Sequence, residues 1–465
     1  MKLSKIKAPN TYLIIFSLII LIASLTWIVP GGTFDKTVVD NRSQLIPGSF
    51  RYMDSQPQGF FDILMAPIRG FVDAALIIGF VLIVGGSFYI LQRTQAVDAV
   101  IKTIAHAHQS SRLIQRMLIP LFMFIFSFAG AVFGMSEEVI PFVLLFIPLA
   151  LALGYDTVIG VAIPFVGAGA GFAAAFINPF TLGIAQGIAE LPPLSGIEYR
   201  LICWFIITMI AIWFIQRYAK KIQLDPKASF TYLEDQEKRK ILSIEKSAVY
   251  QMTKSHKYVL YIFLLAILIL IIGVLEFQWY IEEIAGLFLM TGIVSGIVGK
   301  LKASEITDAF VKGASDLIGT GLIIALARGI LIVSRDGQII DTILYSLSTV
   351  VGELHPILSA QSMFIMQTMI NFFVPSGSGQ AAMTMPIMAP LADLVGISRQ
   401  TAVLAFQFGD GFSNMIIPTS GVTMGVLAVA KVPWEKWAKW ILPLEVLFIV
   451  AGLLLLIPPY VLNWQ

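Results

Sequence analysis

The sequence predicts an all-α polytopic membrane protein built as an inverted repeat, with about nine transmembrane helices and two re-entrant hairpins. Three observations predict it. The chain of 465 residues is 57% hydrophobic and 13% charged, with mean hydropathy +0.84, whereas soluble domains carry about 25% charged residues. Apolar segments near the roughly 20 residues that cross a bilayer recur along the whole length. Glycines, prolines and acidic residues of the first half also return in the second half at a nearly constant offset.

The apolar segments fall at about 12–30, 61–92, 113–133, 136–154, 157–190, 198–217, 257–275, 280–299, 314–334, 356–374, 379–396, 398–430 and 437–460. The first follows Lys2, Lys5 and Lys7 and lacks a small-x-small cleavage site, so it reads as a retained span. The most basic loop, 218–256, holds Lys220, Lys221, Lys227, Lys238, Arg239, Lys240, Lys246 and Lys254, and faces the cytoplasm by the positive-inside rule. Arg93, Lys102 and Arg112 should lie inside with it, as should Lys300, Lys302, Lys312, Lys431, Lys436 and Lys439. If 113–154 and 356–396 are re-entrant hairpins, nine crossings remain and every basic loop is inside. The N-terminus is then cytoplasmic and the C-terminus outside. Thirteen full crossings give the same parity, so the case for hairpins rests on their tips.

A net charge of +2 suggests no nucleic-acid partner, and the lone Cys203 excludes a disulfide framework or a paired-cysteine metal site. His106 and His108 sit two apart on an amphipathic stretch and need no metal. "GAGAGF" (167–172) lies inside an apolar span, where small residues serve close helix packing rather than phosphate binding. "AKVPWEKWAKW" (430–440) reads as an aromatic-basic belt at the inner interface.

At an offset of 243, Gly70 aligns with Gly313, Asp73 with Asp316, Gly86 with Gly329, Gln95 with Gln338 and Asp98 with Asp341. At 242, Ser136 meets Ser378, Pro148 meets Pro390, Gly154 meets Gly396, Gly167 meets Gly409 and Gly169 meets Gly411; at 239, Pro179 meets Pro418. The charge map runs 61–92 inward and 314–334 outward, which makes the repeats inverted. Inverted repeats are typical of secondary transporters, whose sites lie where broken helices of the two halves meet.

Each half carries two interruptions. The first has "FGMSEEVIP" (133–141) and "FINPFTLGIAQ" (176–186); the second has "PSGSGQ" (375–380) and "IIPTSGVTMG" (416–425). Proline, glycine and serine there turn a hairpin or unwind a helix. In hydrocarbon each freed backbone group would cost several kcal/mol, so the tips must line a polar site. Freed carbonyls suit a cation, and freed N–H groups suit a carboxylate.

At these residues the chain resembles a family. "NPFTLGIAQGIAELPPLSGIEYR" (178–200) and "VPSGSGQAAMTMPIMAPLADLVGISRQTAVLAFQFGDGFSNMIIPTSG" (374–421) are similar to the YfcC family of bacterial carriers. That family is grouped with the anaerobic C4-dicarboxylate carriers and resembles aminobenzoyl-glutamate transporters and sodium–dicarboxylate symporters. The resemblance spans nearly the whole chain. It implies an elevator-type carrier of the bacterial cytoplasmic membrane, usually dimeric, in which a transport domain holding both hairpins moves against a scaffold. By that division the scaffold is 12–92 and 257–334, and the transport domain is 113–217 and 356–460. The latter contains hairpins 113–154 and 356–396 and broken helices 157–190 and 398–430, with arms at 93–112 and 336–355. In the wider superfamily, Ser/Asn/Thr motifs at the tips bind sodium and a substrate carboxylate. Here the tips read Met135-Ser136-Glu137 and Ser376-Gly377-Ser378, a departure that leaves sodium or protons as the coupling ion. No other cofactor is expected. Members of the family are labelled basic amino acid (arginine/ornithine-type) antiporters.

Ionisable residues inside a membrane are costly and are functional candidates. Glu137 and Glu138 occupy the first tip, and Asp410 shares a helix face with Ser413 and Asn414. Arg328 is the only cation deep in a span, and Asp73 and Asp316 lie near the starts of spans. Three carboxylates against one arginine suit a ligand with a positive side chain, or proton coupling. The structural alternative is a fixed ion pair of Glu137 or Glu138 with Arg328 or Arg116. The candidate substrate and ion contacts are Ser136, Glu137, Glu138, Asn178, Thr181, Ser376, Gly377, Ser378, Gln380, Asp410, Ser413, Asn414, Thr419 and Ser420.

Two rivals are weaker. "GYD" (154–156) and "FGD" (408–410) resemble the motifs of membrane aspartyl proteases, but Gln407 stands where a glycine is required. A channel would need a charge ring or carbonyl filter, and none is readable. The expectation is a secondary transporter, not an enzyme, with a small-molecule substrate and the lipid bilayer as its partners. The substrate is a basic amino acid; the alternative is a C4-dicarboxylate or other organic anion coupled to sodium or protons.

Overall fold

The computed structural model describes residues 11–39, 42–241, 252–277, 279–351 and 354–464. Lys2, Lys5, Lys7 and Lys246 of the charge map, and the side chains of His106, His108 and Arg112, lie outside the described residues. Helices dominate. After α1 (Thr11–Leu25) come four short strands that depart from the all-α expectation: β1 (Gly31–Thr33), β2 (Lys36–Val39), β3 (Arg42–Leu45) and β4 (Arg51–Met53). β1 pairs antiparallel with β4, and β2 with β3. Thr37, Val38 and Val39 are β-branched, which favours extended backbone; at three or four residues the strands are too short to leave a clear alternation.

The segments expected at 61–92 and 314–334 are not single spans. The first is α2 (Phe60–Asp73) and α3 (Ala75–Arg93), broken at Ala74; the second is α13 (Ala303–Asp316) and α14 (Ile318–Asp336), broken at Leu317. Each break follows an aspartate that closes an amphipathic helix, where polarity, not length, ends the apolar run. α2 packs on α14, and α13 on α3. Gly70 sits where any Cβ would strike the backbone of Ala325 and Gly329, and Gly313 lies equally close to Gly85 and Gly86. Glycine here lets the two helix pairs touch. Asp73 binds Arg328 and stands 3.5 Å from Arg335, while Asp316 lies 2.7 Å from Lys312. Asp73 and Asp316 are thus both ion-pair partners.

The amphipathic stretches are α4 (Ala96–Ser110) and α15 (Ile339–Val351), each entered through a glutamine in left-handed conformation, Gln95 at φ 60° and Gln338 at φ 55°. The strand region rests on α15: Gly32 donates to the Gln338 carbonyl at 3.0 Å, and Phe50 stacks on Tyr345 at 4.0 Å.

The first helical hairpin is α5 (Arg112–Phe133) and α6 (Val139–Ala152), followed by α7 (Thr157–Ala173), α8 (Leu182–Ile188) and α9 (Ile197–Leu224). Beyond α10 (Tyr232–Ile241), α11 (Lys254–Phe277) and α12 (Ile281–Val298), the second is α16 (Pro356–Phe373) and α17 (Gly377–Leu394). Then come α18 (Arg399–Ser413), α19 (Gly421–Ala430), α20 (Trp434–Leu455) and α21 (Ile457–Val461). Seven helices among the described residues are long and apolar enough to cross a membrane. The broken segments 157–190 and 398–430 are not among them, because α7, α8, α18 and α19 are each too short to count, whereas α3 and the α13–α14 stretch are included. α7 lies on α5 through the "GAGAGF" glycines, with Gly171 against the Ser127 backbone.

The basic segment 218–256 is not a free loop over its described part. Asp156 caps α7, binding the Ile159 N–H at 2.9 Å and accepting from Tyr218 and Ser229 at 2.7 Å. Asp235 accepts from the Thr157 N–H at 2.9 Å, and Lys238 donates to Thr157 at 2.9 Å and to the Ala430 carbonyl at 3.1 Å. α10 is therefore fastened to the ends of both α7 and α19.

Candidate functional site

Proline places the first break. Pro179 has no N–H to give a helix, so the chain from Ala174 to Thr181 leaves helical geometry. Ile177 and Asn178 instead donate their N–H groups to the Ala131 carbonyl of α5, at 3.3 and 3.1 Å. The Asn178 Oδ1 accepts from the Phe180 N–H at 2.9 Å. Its Nδ2 and the Thr181 hydroxyl, both buried, have no hydrogen-bond partner among the described residues. The first tip lies against this break. Gly134 turns at φ +71°, and a Cβ there would sit 2.6 Å from the Asn178 Oδ1. Past it the Ser136 N–H donates to the Glu138 carboxylate at 2.9 Å, so Glu138 folds back onto its own tip.

Pro418 stops α18 in the same way. Here the loosened groups are tied. Asn371, fully buried on α16, brings its Nδ2 to 2.9 Å from the Asp410 carbonyl, 2.8 Å from the Ser413 hydroxyl and 2.9 Å from the Asn414 Oδ1. The Thr423 hydroxyl donates to the Asn414 carbonyl, and Ser420 caps α19 by accepting from the Thr423 N–H at 3.3 Å. Asp410 is fully buried; Asn414 donates to its Oδ1 at 3.2 Å, and its Oδ2 has no partner among the described residues. The buried Thr419 hydroxyl is also unpartnered.

The tips cross over to the breaks of the other half. A Cβ on Gly377, at the second tip, would meet the Thr181 methyl and stand 2.9 Å from Asp410 Oδ2. A small cavity joins Met135 and Ser136 of the first tip to Asn414 and Ser420 of the second break. α17 packs on α8, and α6 on α19. Of the expected residues, Ser136, Asn178, Thr181, Gly377, Asp410, Asn414 and Ser420 gather here through these contacts. Ser413 is engaged with Asn371 just behind them, and half-buried Ser376 precedes Gly377.

Two of the expected residues lie apart from this cluster. Ser378 is exposed, and Gln380 is buried between the hairpin arms, where its Nε2 donates to the Gln367 Oε1 at 2.7 Å and to its carbonyl at 2.9 Å. Helical phase explains both: residues two apart point about 200° from each other, so the two cannot share a face. The fixed ion pair is also absent among the described residues. Arg328 binds Asp73, and no cation lies within 4.0 Å of Glu137 or Glu138. The protease geometry fails too, since Asp156 caps the start of α7 while Gly411, beside Asp410, packs at Ala173 near its end. That separates the carboxylates by about 25 Å, the length of a 17-residue helix. Sequence reasoning missed Asn371, although an amide in an apolar arm, one turn before the tip, was a readable signal.

Two cavities of about 390 and 420 Å³ open between α13–α14 and α19, and Asp316, Ala428 and Lys431 line both. They lie at the α10 end, along the α19 side of the second break. Unpartnered hydroxyls, one amide nitrogen and one carboxylate oxygen can together receive a cationic group and a carboxylate, with no covalent step.

The profile of the family described as DcuC, C4-dicarboxylate anaerobic carrier, matches residues 8–460. A protein of Escherichia coli (strain K12) described as "Putative basic amino acid antiporter YfcC" is 35% identical over 93% of this chain and 92% of its own length. The chain belongs to the DcuC family and is a YfcC-type carrier. Among solved structures, the carrier is similar to the YdaH transporter of Alcanivorax borkumensis, with 15% identity, TM-score 0.44 and coverage of 98% and 99% of the two chains. It is also similar to MtrF of Neisseria gonorrhoeae, with 17% identity, TM-score 0.41 and coverage of 97% and 95%. The carrier is a multi-pass membrane transporter. The family description and the E. coli relative carry different cargo in their names, a dicarboxylate in one and a basic amino acid in the other.

Proposed function

We propose that the carrier is a secondary active antiporter of basic amino acids of the arginine/ornithine type, working as a dimer in the bacterial cytoplasmic membrane by an elevator movement. One observation carries the substrate: the buried, unpartnered Asp410 Oδ2 under Gly377 and Thr181, in a site whose first tip adds Glu137 and Glu138. A cationic side chain supplies the missing charge, and the amide and hydroxyl groups of Asn178, Thr181 and Ser420 receive its carboxylate. Coupling uses sodium or a proton at the same tips.

The inverted repeat behind this reading is supported by reciprocal contacts. Gly70 touches Gly329, and Gly313 touches Gly86; Gly169 touches Met415, and Gly411 touches Ala173. Each pair is the other displaced by 243 or 242 residues. In this reading 113–154 and 356–396 are two re-entrant hairpins beside nine crossings, with 12–92 and 257–334 as scaffold and 113–217 and 356–460 as the moving domain. The N-terminus and α10 are cytoplasmic.

The test is uptake of labelled arginine into proteoliposomes loaded with ornithine, lysine, succinate or nothing, each with and without sodium and proton gradients. Arginine uptake that requires internal ornithine or lysine supports the proposal. Succinate-dependent counterflow of dicarboxylate without arginine uptake overturns it in favour of an organic-anion carrier, the reading that the family description favours.

A further inference from the structure

At the end of the molecule opposite α10, the start of α9 holds a cation without a counter-charge. Arg200 is 1% exposed, yet only its Nη2 is bound, donating to the Gln400 Oε1 at 3.1 Å. Its Nε and Nη1 have no partner, and no carboxylate lies within 4.0 Å among the described residues. The neighbouring amides are already engaged. Gln186 donates to the Ser195 carbonyl at 2.9 Å, Gln400 donates to the Ser195 hydroxyl, and Gln186 Oε1 accepts from the Leu194 N–H at 3.2 Å. Of the acids at this end, Glu190 and Asp393 bind Arg399 at 2.7 and 2.8 Å and are themselves 79% and 51% exposed, and Glu198, in the first turn of α9, is exposed and makes no ion pair with Arg200.

A second observation points to the same spot. The Arg200 guanidinium lies 5.4 Å from the ring centre of Trp464, whose buried Nε1 is also unpartnered. Three N–H donors thus want acceptors around one buried positive charge. A cation–π contact offsets only part of the cost of an uncompensated buried charge. Water would satisfy the N–H groups but not the charge. The first turns of α9 and α18, both at this end, add positive helix-dipole potential.

We propose that Arg200, with the Trp464 indole N–H, binds one small monovalent anion, chloride being the commonest. Size follows from burial: Arg200 is 1% exposed, and Gly196 leaves no room for a Cβ beneath the Trp464 ring. A halide fits such a place where a substrate carboxylate with its attached chain does not. The bound anion ties α9 to α18 and, through Gln400 and Gln186, to α8. It lies beyond the substrate site and is independent of which substrate the carrier moves.

The experiment is thermal unfolding of the purified full-length carrier in sodium gluconate, with chloride or bromide titrated in at constant ionic strength. The expected result is a saturable rise in Tm with either halide, abolished in Arg200→Gln. If that variant does not fold, Trp464→Phe keeps the ring and drops the donor; its half-saturating chloride should rise about tenfold, the loss of a hydrogen bond to an ion. Crystals grown in bromide should show an anomalous peak within hydrogen-bonding reach of Arg200. Equal Tm in gluconate and chloride, or a halide effect unchanged in both variants, or no bromide peak at Arg200, overturns the proposal and leaves water as the occupant.

Discussion

In the unwound stretch after Ala173, two N–H groups lean on the Ala131 carbonyl while the Asn178 amide nitrogen and the Thr181 hydroxyl stay free. In the stretch after Ser413, Asn371 and Thr423 bind the loosened chain. Both breaks exist because a proline falls in an apolar run, but they are held for different ends. Groups already tied give rigidity and position Asp410. Groups left free are the ones that can take a ligand, at a cost of about 1–3 kcal/mol each while empty. A carrier needs both kinds: the first break leaves its side-chain groups free, and the second ties most of its own while keeping Asp410 Oδ2 and the Thr419 hydroxyl free among the described residues.

That contrast can be broken by experiment. The largest effect is expected from Asp410→Asn, which keeps the shape and removes the charge: initial arginine uptake should fall roughly a hundredfold, as for loss of a charged hydrogen bond worth ~3 kcal/mol. Unchanged uptake at every pH would remove Asp410 from the site. Next come Asn371→Ala and Asn178→Ala, compared side by side. The first should lower stability by about 2–3 kcal/mol, seen as an earlier thermal transition, because it frees several buried groups. The second should leave the transition within about 1 kcal/mol and reduce uptake about tenfold; the reverse order would show that the breaks had been assigned the wrong tasks. Gly377→Ala pushes a methyl toward Thr181 and Asp410, so uptake should drop about tenfold, while Gly379→Ala, with its nearest neighbour the tip of Ser376 at 3.1 Å, should lose no more than about half. Smallest is Thr419→Val. Losing one neutral hydroxyl should raise the half-saturating concentration of the coupling cation about threefold in a gradient titration; no shift in either sodium or proton dependence would place Thr419 outside the ion path.

Much of this architecture was legible before any coordinates. Helix-breaking residues inside apolar runs mark the breaks directly, because hydrocarbon forbids unpaired backbone. The offset of 242 residues pairs Gly169 with Gly411, which lie against Met415 and Ala173. What stayed hidden depended on side-chain direction or on polar helices. Ser378 matches Ser136 by offset, yet helical phase turns it outward. α10 and α13 carry too many charges to look like packed helices, and the strands before α2 are too short for a period. Arg200 sits within the family motif itself, but nothing in its flanks told that it would be buried without an acid.

The fastening of Lys238 to Thr157 and Ala430 sets a leash. α10 rides with α7 and α19, while α11 begins the second half of the proposed scaffold, and only residues 242–253 join them. At about 3.3–3.6 Å per residue, that dozen residues reaches no more than about 40 Å when taut. In the proposed elevator movement, that linker would set a length limit on the stroke. Removing half of those residues should slow or stop turnover with substrate binding intact, and unaltered turnover would show that α10 does not travel.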